Sequence, residues 1–265
     1  MKEFLGVGGY SRPVEGYLSW QHLLFVSLLM VIMVILAVVI GKNNKNKADK
    51  EKNRVLIFTA IIMDSFETIK IVLQCIINKD PLQWLYSLPL FLCSIQFLTL
   101  PLAAFSKGRL REASLDFVCI FGLLGAVLGT YFAGNNYSSY PVISLQNVVS
   151  GITHTTAGFA SLYIIISKMV SMKKKNMIIT FAILFSFCVA AYAANIFLDY
   201  NYMFLTRGDG TPYDILYNLV GGSNLWYPLS VVLLFIVYIF AYYNIYYLFS
   251  KKSNLKAKES ISVKL

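Results

Sequence analysis

Residues 18–40 read LSWQHLLFVSLLMVIMVILAVVI, and residues 41–54 directly behind them read GKNNKNKADKEKNR. The first stretch runs for 23 residues without a charge. As a helix rising roughly 1.5 Å per residue, it is long enough to cross a hydrocarbon core of about 30 Å. The second stretch carries six Lys or Arg, the mark of a cytoplasmic loop. Together they predict a helix that enters the bilayer from outside and ends in a basic inner turn.

Six further apolar runs follow, at residues 55–77, 82–105, 116–132, 142–166, 177–198 and 225–249. With the N-terminus outside, the inner connections 41–54, 106–115, 167–176 and the tail from Ser250 hold six, three, four and five Lys or Arg. The outer segments hold only Lys2, Arg12, Lys79 and Arg207, while Lys70 lies inside a run. Hydrocarbon offers backbone groups no water, so these runs are expected to be helices. Seven is an odd number, and the short alternating strands of a bacterial outer-membrane barrel are absent. The expected fold is an all-α polytopic membrane protein: seven transmembrane helices, N-terminus outside, C-terminus cytoplasmic. Residues 1–265 form one integral membrane domain, multi-pass in the cell membrane.

The chain is 57% hydrophobic and 14% charged, with mean hydropathy +0.63, whereas a soluble domain has about a quarter of its residues charged. The net charge of +10 resides in short loops beside the membrane, where it orients helices and meets anionic headgroups. Membrane lipids, not nucleic acid, are therefore the expected partners. The N-terminal residues lack a basic n-region, and the first run is too long for a signal sequence, so it is expected to be retained. Cys75, Cys93, Cys119 and Cys188 lie inside the runs without CxxC or metal spacing. They indicate no disulfide framework, metal site or cofactor.

An ionisable side chain within a span costs about 2.5–3.5 kcal/mol and calls for a reason. Asp64, Glu67 and Lys70 share a stripe about 120° wide with Gln74 and Asn78. Such a stripe faces the bundle or a wet cavity, or Glu67 and Lys70 neutralise each other. The two histidines are His22, a turn below the outer edge of the first run, and His154, near the middle of the fifth. Counted from the outer edge at roughly 1.5 Å per residue, Glu67, Cys93 and His154 lie about 15, 16 and 18 Å deep. A thiol, an imidazole and a carboxylate at one level suit acyl transfer: Cys93 as nucleophile, His154 as general base, Glu67 as the orienting carboxylate. The long outer connection, residues 199–224, mixes turn formers with four tyrosines. It either caps a site or marks the headgroup zone.

The motif LPLFLCS at residues 88–94 resembles the third-span LPLHLCS-like motif of the YwaF-type bacterial integral membrane proteins, with Phe91 where that motif carries histidine. His22, His154, NYMFL at residues 201–205 and WYP at residues 226–228 extend the resemblance over nearly the whole chain. That family is similar to eukaryotic transmembrane protein 164, a phospholipid acyltransferase working through an acyl-cysteine, and more distantly to androgen-induced-type lipid hydrolases. The resemblance implies lipid acyl chemistry with Cys93 and His154 as candidate residues. His22, Asp64, Lys70, Gln96, Asn201 and Trp226 are candidates for binding a lipid or small-molecule substrate. Two other functions remain open: a transporter or solute-binding protein using the polar stripe of the second run, and a non-catalytic scaffold or sensor. Nothing indicates an oligomeric state.

Overall fold

The computed structural model describes residues 1–170 and 172–262, with residues 249–262 as backbone only. The side chains of the basic tail expected from Ser250 lie outside the described residues. Seven principal helices are α1 (Trp20–Asn44), α2 (Asp49–Asn78), α3 (Gln96–Phe105), α4 (Gly108–Tyr131), α5 (Leu145–Ile166), α6 (Lys174–Leu198) and α7 (Trp226–Ser262). Short turns of helix at Lys2–Leu5, Gln83–Ser87, Gly134–Ser139, Tyr202–Phe204 and Asp214–Leu219 complete the secondary structure. Among the described residues there is no strand.

Five helices are long and apolar enough to cross a membrane: α1, α4 with the turn after it, α5, α6 and the apolar part of α7. The second run folds as a 30-residue helix, α2, but carries Asp64, Glu67 and Lys70 within its length. The third run differs from expectation. Residues 82–105 do not form one continuous helix. A 3₁₀ turn at Gln83–Ser87 ends on an extended Leu88 (φ −59°, ψ 147°), and helix resumes only at Gln96. Pro89 is the cause: it lacks an N–H and disfavours helical geometry in the residue before it.

Helix α5 is the centre of the bundle, packing against α4, α1 and α2. Small residues let it sit there, because close backbone approach replaces the hydrophobic effect as the source of packing in lipid. A Cβ added at Gly122 of α4 would stand 2.6 Å from the carbonyl oxygen of Ala157. One turn on, the Ser161 hydroxyl donates to the Cys119 carbonyl at 2.7 Å. Helix α1 turns most of its apolar surface outward, with Leu24, Leu28, Val31, Ile35 and Val39 all exposed. At the other end of the bundle, buried Asp116 of α4 joins α6 and α7. Its carboxylate accepts from the Tyr243 hydroxyl at 2.9 Å and the Met172 N–H at 3.0 Å. Tyr243 also meets the Thr180 hydroxyl at 3.2 Å.

Candidate active site

The break in the third run creates the site. Residues 88–95 are neither strand nor long helix, and irregular backbone packed inside a bundle persists only where protein satisfies its polar groups. Tyr202 supplies that satisfaction: its hydroxyl donates to the Leu85 carbonyl and accepts from the Leu88 N–H at 3.2 Å. Tyr202 is itself clamped by Asn195 of α6. The Asn195 amide donates to the Tyr202 carbonyl at 3.0 Å and accepts from its N–H at 2.6 Å. Ser94 then closes a tight turn, its hydroxyl accepting from the Phe91 N–H at 2.9 Å and donating to the Phe91 carbonyl at 3.1 Å. Cys93 is carried on this turn, immediately before α3.

The Cys93 thiol lies beside the imidazole of His154 and interacts with it electrostatically, and the backbone N–H groups of Cys93 and Ser94 lie near its sulfur. His154 Nδ1 lies 2.7 Å from the Ser150 carbonyl oxygen. A carbonyl can only accept, so Nδ1 carries the proton and Nε2 keeps its lone pair. The tautomer is thus set by the α5 backbone one turn away. Space for the ring comes from Gly129 of α4, where an added Cβ would sit 1.9 Å from His154 Cδ2 and 2.1 Å from Nε2. Both Cys93 and His154 are half-buried. A thiol beside an unprotonated imidazole nitrogen, at the start of a helix, is a nucleophile and its base.

The other candidates are placed differently. Glu67 acts on His154 electrostatically, but its hydrogen bond goes to Lys70 Nζ at 2.6 Å, and the Ser150 carbonyl does the orienting expected of it. The charges of the α2 stripe are therefore spent largely on each other. Gln74 extends the stripe to α5 through Gln146 at 2.7 Å. Asp64 makes no hydrogen bond among the described residues, and one of its oxygens is buried. His22 is fully buried between Tyr17 and Tyr137. Its Nδ1 accepts from the Leu18 N–H at 3.2 Å and its Nε2 donates to the Thr130 carbonyl at 3.1 Å, so it fastens α1 to α4. Gln96 is 1% exposed, and Thr99 donates to its oxygen at 3.1 Å.

Asn201 organises the connection between α6 and α7, donating to the Arg207 carbonyl at 2.7 Å and Asp209 at 2.8 Å and accepting from the Thr206 hydroxyl at 2.8 Å. Trp226 is 63% exposed at the head of α7. The loop lies over the Cys93 turn: Phe91 packs on Tyr202 and Phe204 at 5.2 and 5.8 Å between ring centroids. Met203 and Phe204, both at φ 55°, hold a left-handed conformation that costs non-glycine residues of order 1–3 kcal/mol each. All four cysteines are free. Cys119 and Cys188 are buried against Tyr242 and Met203, and neither has a histidine beside it. Among the described residues no cluster of three His, Cys, Asp or Glu side chains could hold a metal ion.

Gly129, Ser150, Asn195 and Tyr202 were not among the residues singled out by the sequence. The spacing Gly125-x₃-Gly129 was the available signal for the first, since small residues four apart mark close helix contact.

A model of the TMEM164 family matches residues 17–243. That span contains every residue of the site and about half of the last helix. Neither the curated proteins nor the solved structures contain a significant match.

Proposed function

This chain belongs to the TMEM164 family, and on that premise we propose that it is a membrane acyltransferase or lipid hydrolase working through an acyl-Cys93 intermediate. It would sit in the cell membrane with its N-terminus outside and its C-terminus in the cytoplasm, taking substrate from the outer leaflet. His154 Nε2 accepts the Cys93 thiol proton. The thiolate attacks an acyl ester carbonyl, and the tetrahedral intermediate collapses to a thioester. The departing lipid alkoxide takes the proton back from Nε2. A second hydroxyl-bearing lipid, or water, then gives its proton to Nε2 and attacks the thioester, restoring the thiol and releasing the acylated product. The N–H groups of Cys93 and Ser94 favour the thiolate, and the Ser150 carbonyl keeps Nδ1 protonated and the ring in line. Glu67, tied to Lys70, contributes its field and not a hydrogen bond.

The observation that carries this proposal is the pairing of a half-buried thiol with an imidazole whose proton is committed elsewhere. Cys119 and Cys188 provide internal controls, being thiols without a base. The test is to treat the purified protein with p-nitrophenyl octanoate and look for octanoyl-Cys93 by mass spectrometry. Adduct at Cys93 that vanishes in Cys93→Ser and falls at least about a hundredfold in rate in His154→Ala supports the assignment. Equal acylation of all cysteines, or none at Cys93, refutes it.

A further inference from the structure

Acyl transfer places negative charge on the carbonyl oxygen as the sulfur attacks, and that oxygen needs a donor. At Cys93 the nearest backbone donors, its own N–H and that of Ser94, already lie near the sulfur. A side-chain donor from another element would serve that oxygen. Tyr213, in the connection between α6 and α7, is the side chain positioned for it. Its ring is stacked on Phe204 at 5.2 Å and 18°, and meets the edge of Phe235 of α7 at 6.3 Å. Phe204 in turn packs on Phe91, two residues before the thiol. These contacts hold the Tyr213 ring over the Cys93 turn, and the two groups interact electrostatically. The Tyr213 hydroxyl has no hydrogen-bond partner among the described residues, although the ring itself is tightly held. A hydroxyl without a partner is free to donate to a bound oxygen acceptor.

We propose that the Tyr213 hydroxyl donates the hydrogen bond that receives the substrate's acyl carbonyl oxygen at Cys93. The inference rests on the acyl-cysteine chemistry proposed above and adds to it the oxyanion donor, supplied by the connection between α6 and α7. As the Sγ–C bond forms, the C=O electron pair moves to oxygen and Tyr213 O–H shortens its hydrogen bond to it. When the intermediate collapses, that pair returns and the ester C–O bond breaks.

The test is the burst of p-nitrophenolate from p-nitrophenyl octanoate with Tyr213→Phe, which keeps the ring stack and removes only the hydroxyl. The acylation rate is expected to fall about 10²–10³-fold with KM little changed. Alkylation of Cys93 by iodoacetamide, which develops no oxyanion, is expected to stay within about twofold of wild type. A wild-type burst that Tyr213→Phe reproduces overturns the donor assignment and leaves the acyl-cysteine mechanism standing. Absence of a wild-type burst removes both. A second measurement needs no variant: the thioester carbonyl stretch of octanoyl-Cys93 should lie at lower frequency in the folded protein than after denaturation. An unshifted band also overturns the donor assignment.

Discussion

Replacing Gly129 with alanine places a methyl group inside the space that the His154 ring occupies. The new Cβ would lie 1.9 Å from Cδ2, 2.1 Å from Nε2 and 2.7 Å from Cγ, against an ordinary carbon contact of about 3.5–4.0 Å. The ring has to retreat by roughly 1.5–2 Å to restore contact distance. That movement breaks the 2.7 Å bond from Nδ1 to the Ser150 carbonyl and withdraws Nε2 from the thiol. Two effects on stability oppose each other. Alanine gains about 1 kcal/mol of helix propensity over glycine, and overpacking costs about 1–3 kcal/mol. The net loss is therefore at most about 2 kcal/mol. Displacing a general base costs about 10²–10⁴ in rate, or roughly 3–5 kcal/mol of barrier. Activity should therefore collapse in a protein that still folds. The assay pairs the acylation burst with thermal unfolding in detergent. Gly125→Ala, one turn away, is the comparison: its Cβ would stand 3.4 Å from Cys93 Cβ, an ordinary contact, and its burst rate should remain within a few-fold of wild type. Equal bursts from the two variants and wild type would refute the claim that Gly129 makes room for the base.

Tyr202→Phe strips the Leu85 carbonyl and Leu88 N–H of their shared partner. Amide exchange across residues 85–94 should accelerate by about 10–100-fold, matching about 1–3 kcal/mol of lost local stability; unchanged exchange would count against the pinning role. Asp116→Ala removes the acceptor for Tyr243 and Met172 and should cost about 3 kcal/mol, read as a lowered Tm with Cys93 acylation intact in the folded fraction. A catalytic loss without a stability loss would contradict that assignment. In the N-terminal segment, the Ser11 hydroxyl and the N–H groups of Arg12 and Ser11 hold the Glu3 carboxyl below its ordinary value. A depressed carboxyl stabilises above its unfolded pKa and stops doing so as pH falls through its folded one. Limited proteolysis within residues 1–17 should therefore quicken on acidification, and Glu3→Gln should show the fast rate already at neutral pH. A pH-independent wild-type rate would show that Glu3 does not order the segment.

Hydropathy and charge could be read along the chain because each residue's transfer energy is nearly local and the values simply sum. Residues 18–40 are a long apolar helix in any context, and the helical fold class followed from runs of that kind. Cys93 and His154 were paired by counting at helical rise from residue 82, a count that the broken segment before Gln96 does not obey. The neutralisation of Glu67 by Lys70 was also within reach, three residues being a single helical turn. The same summation misread residues 82–105, where the mean is apolar but Pro89 stops the helix. The broken segment is held by a tyrosine more than a hundred residues later, and no window sees that far.

Rotation about the helix axes is set only when helices pack. Hence the sequence nominated Glu67 to orient His154, while the Ser150 carbonyl performs that task. His22 likewise looked free to bind a headgroup, but both its ring nitrogens are used to fasten α1 to α4. The sequence by itself determined a helical membrane protein and nominated Cys93 and His154 as a pair. Tertiary structure alone decided that they lie side by side, because that depends on a hollow at Gly129 and a turn pinned by Tyr202, and both are properties of packed neighbours.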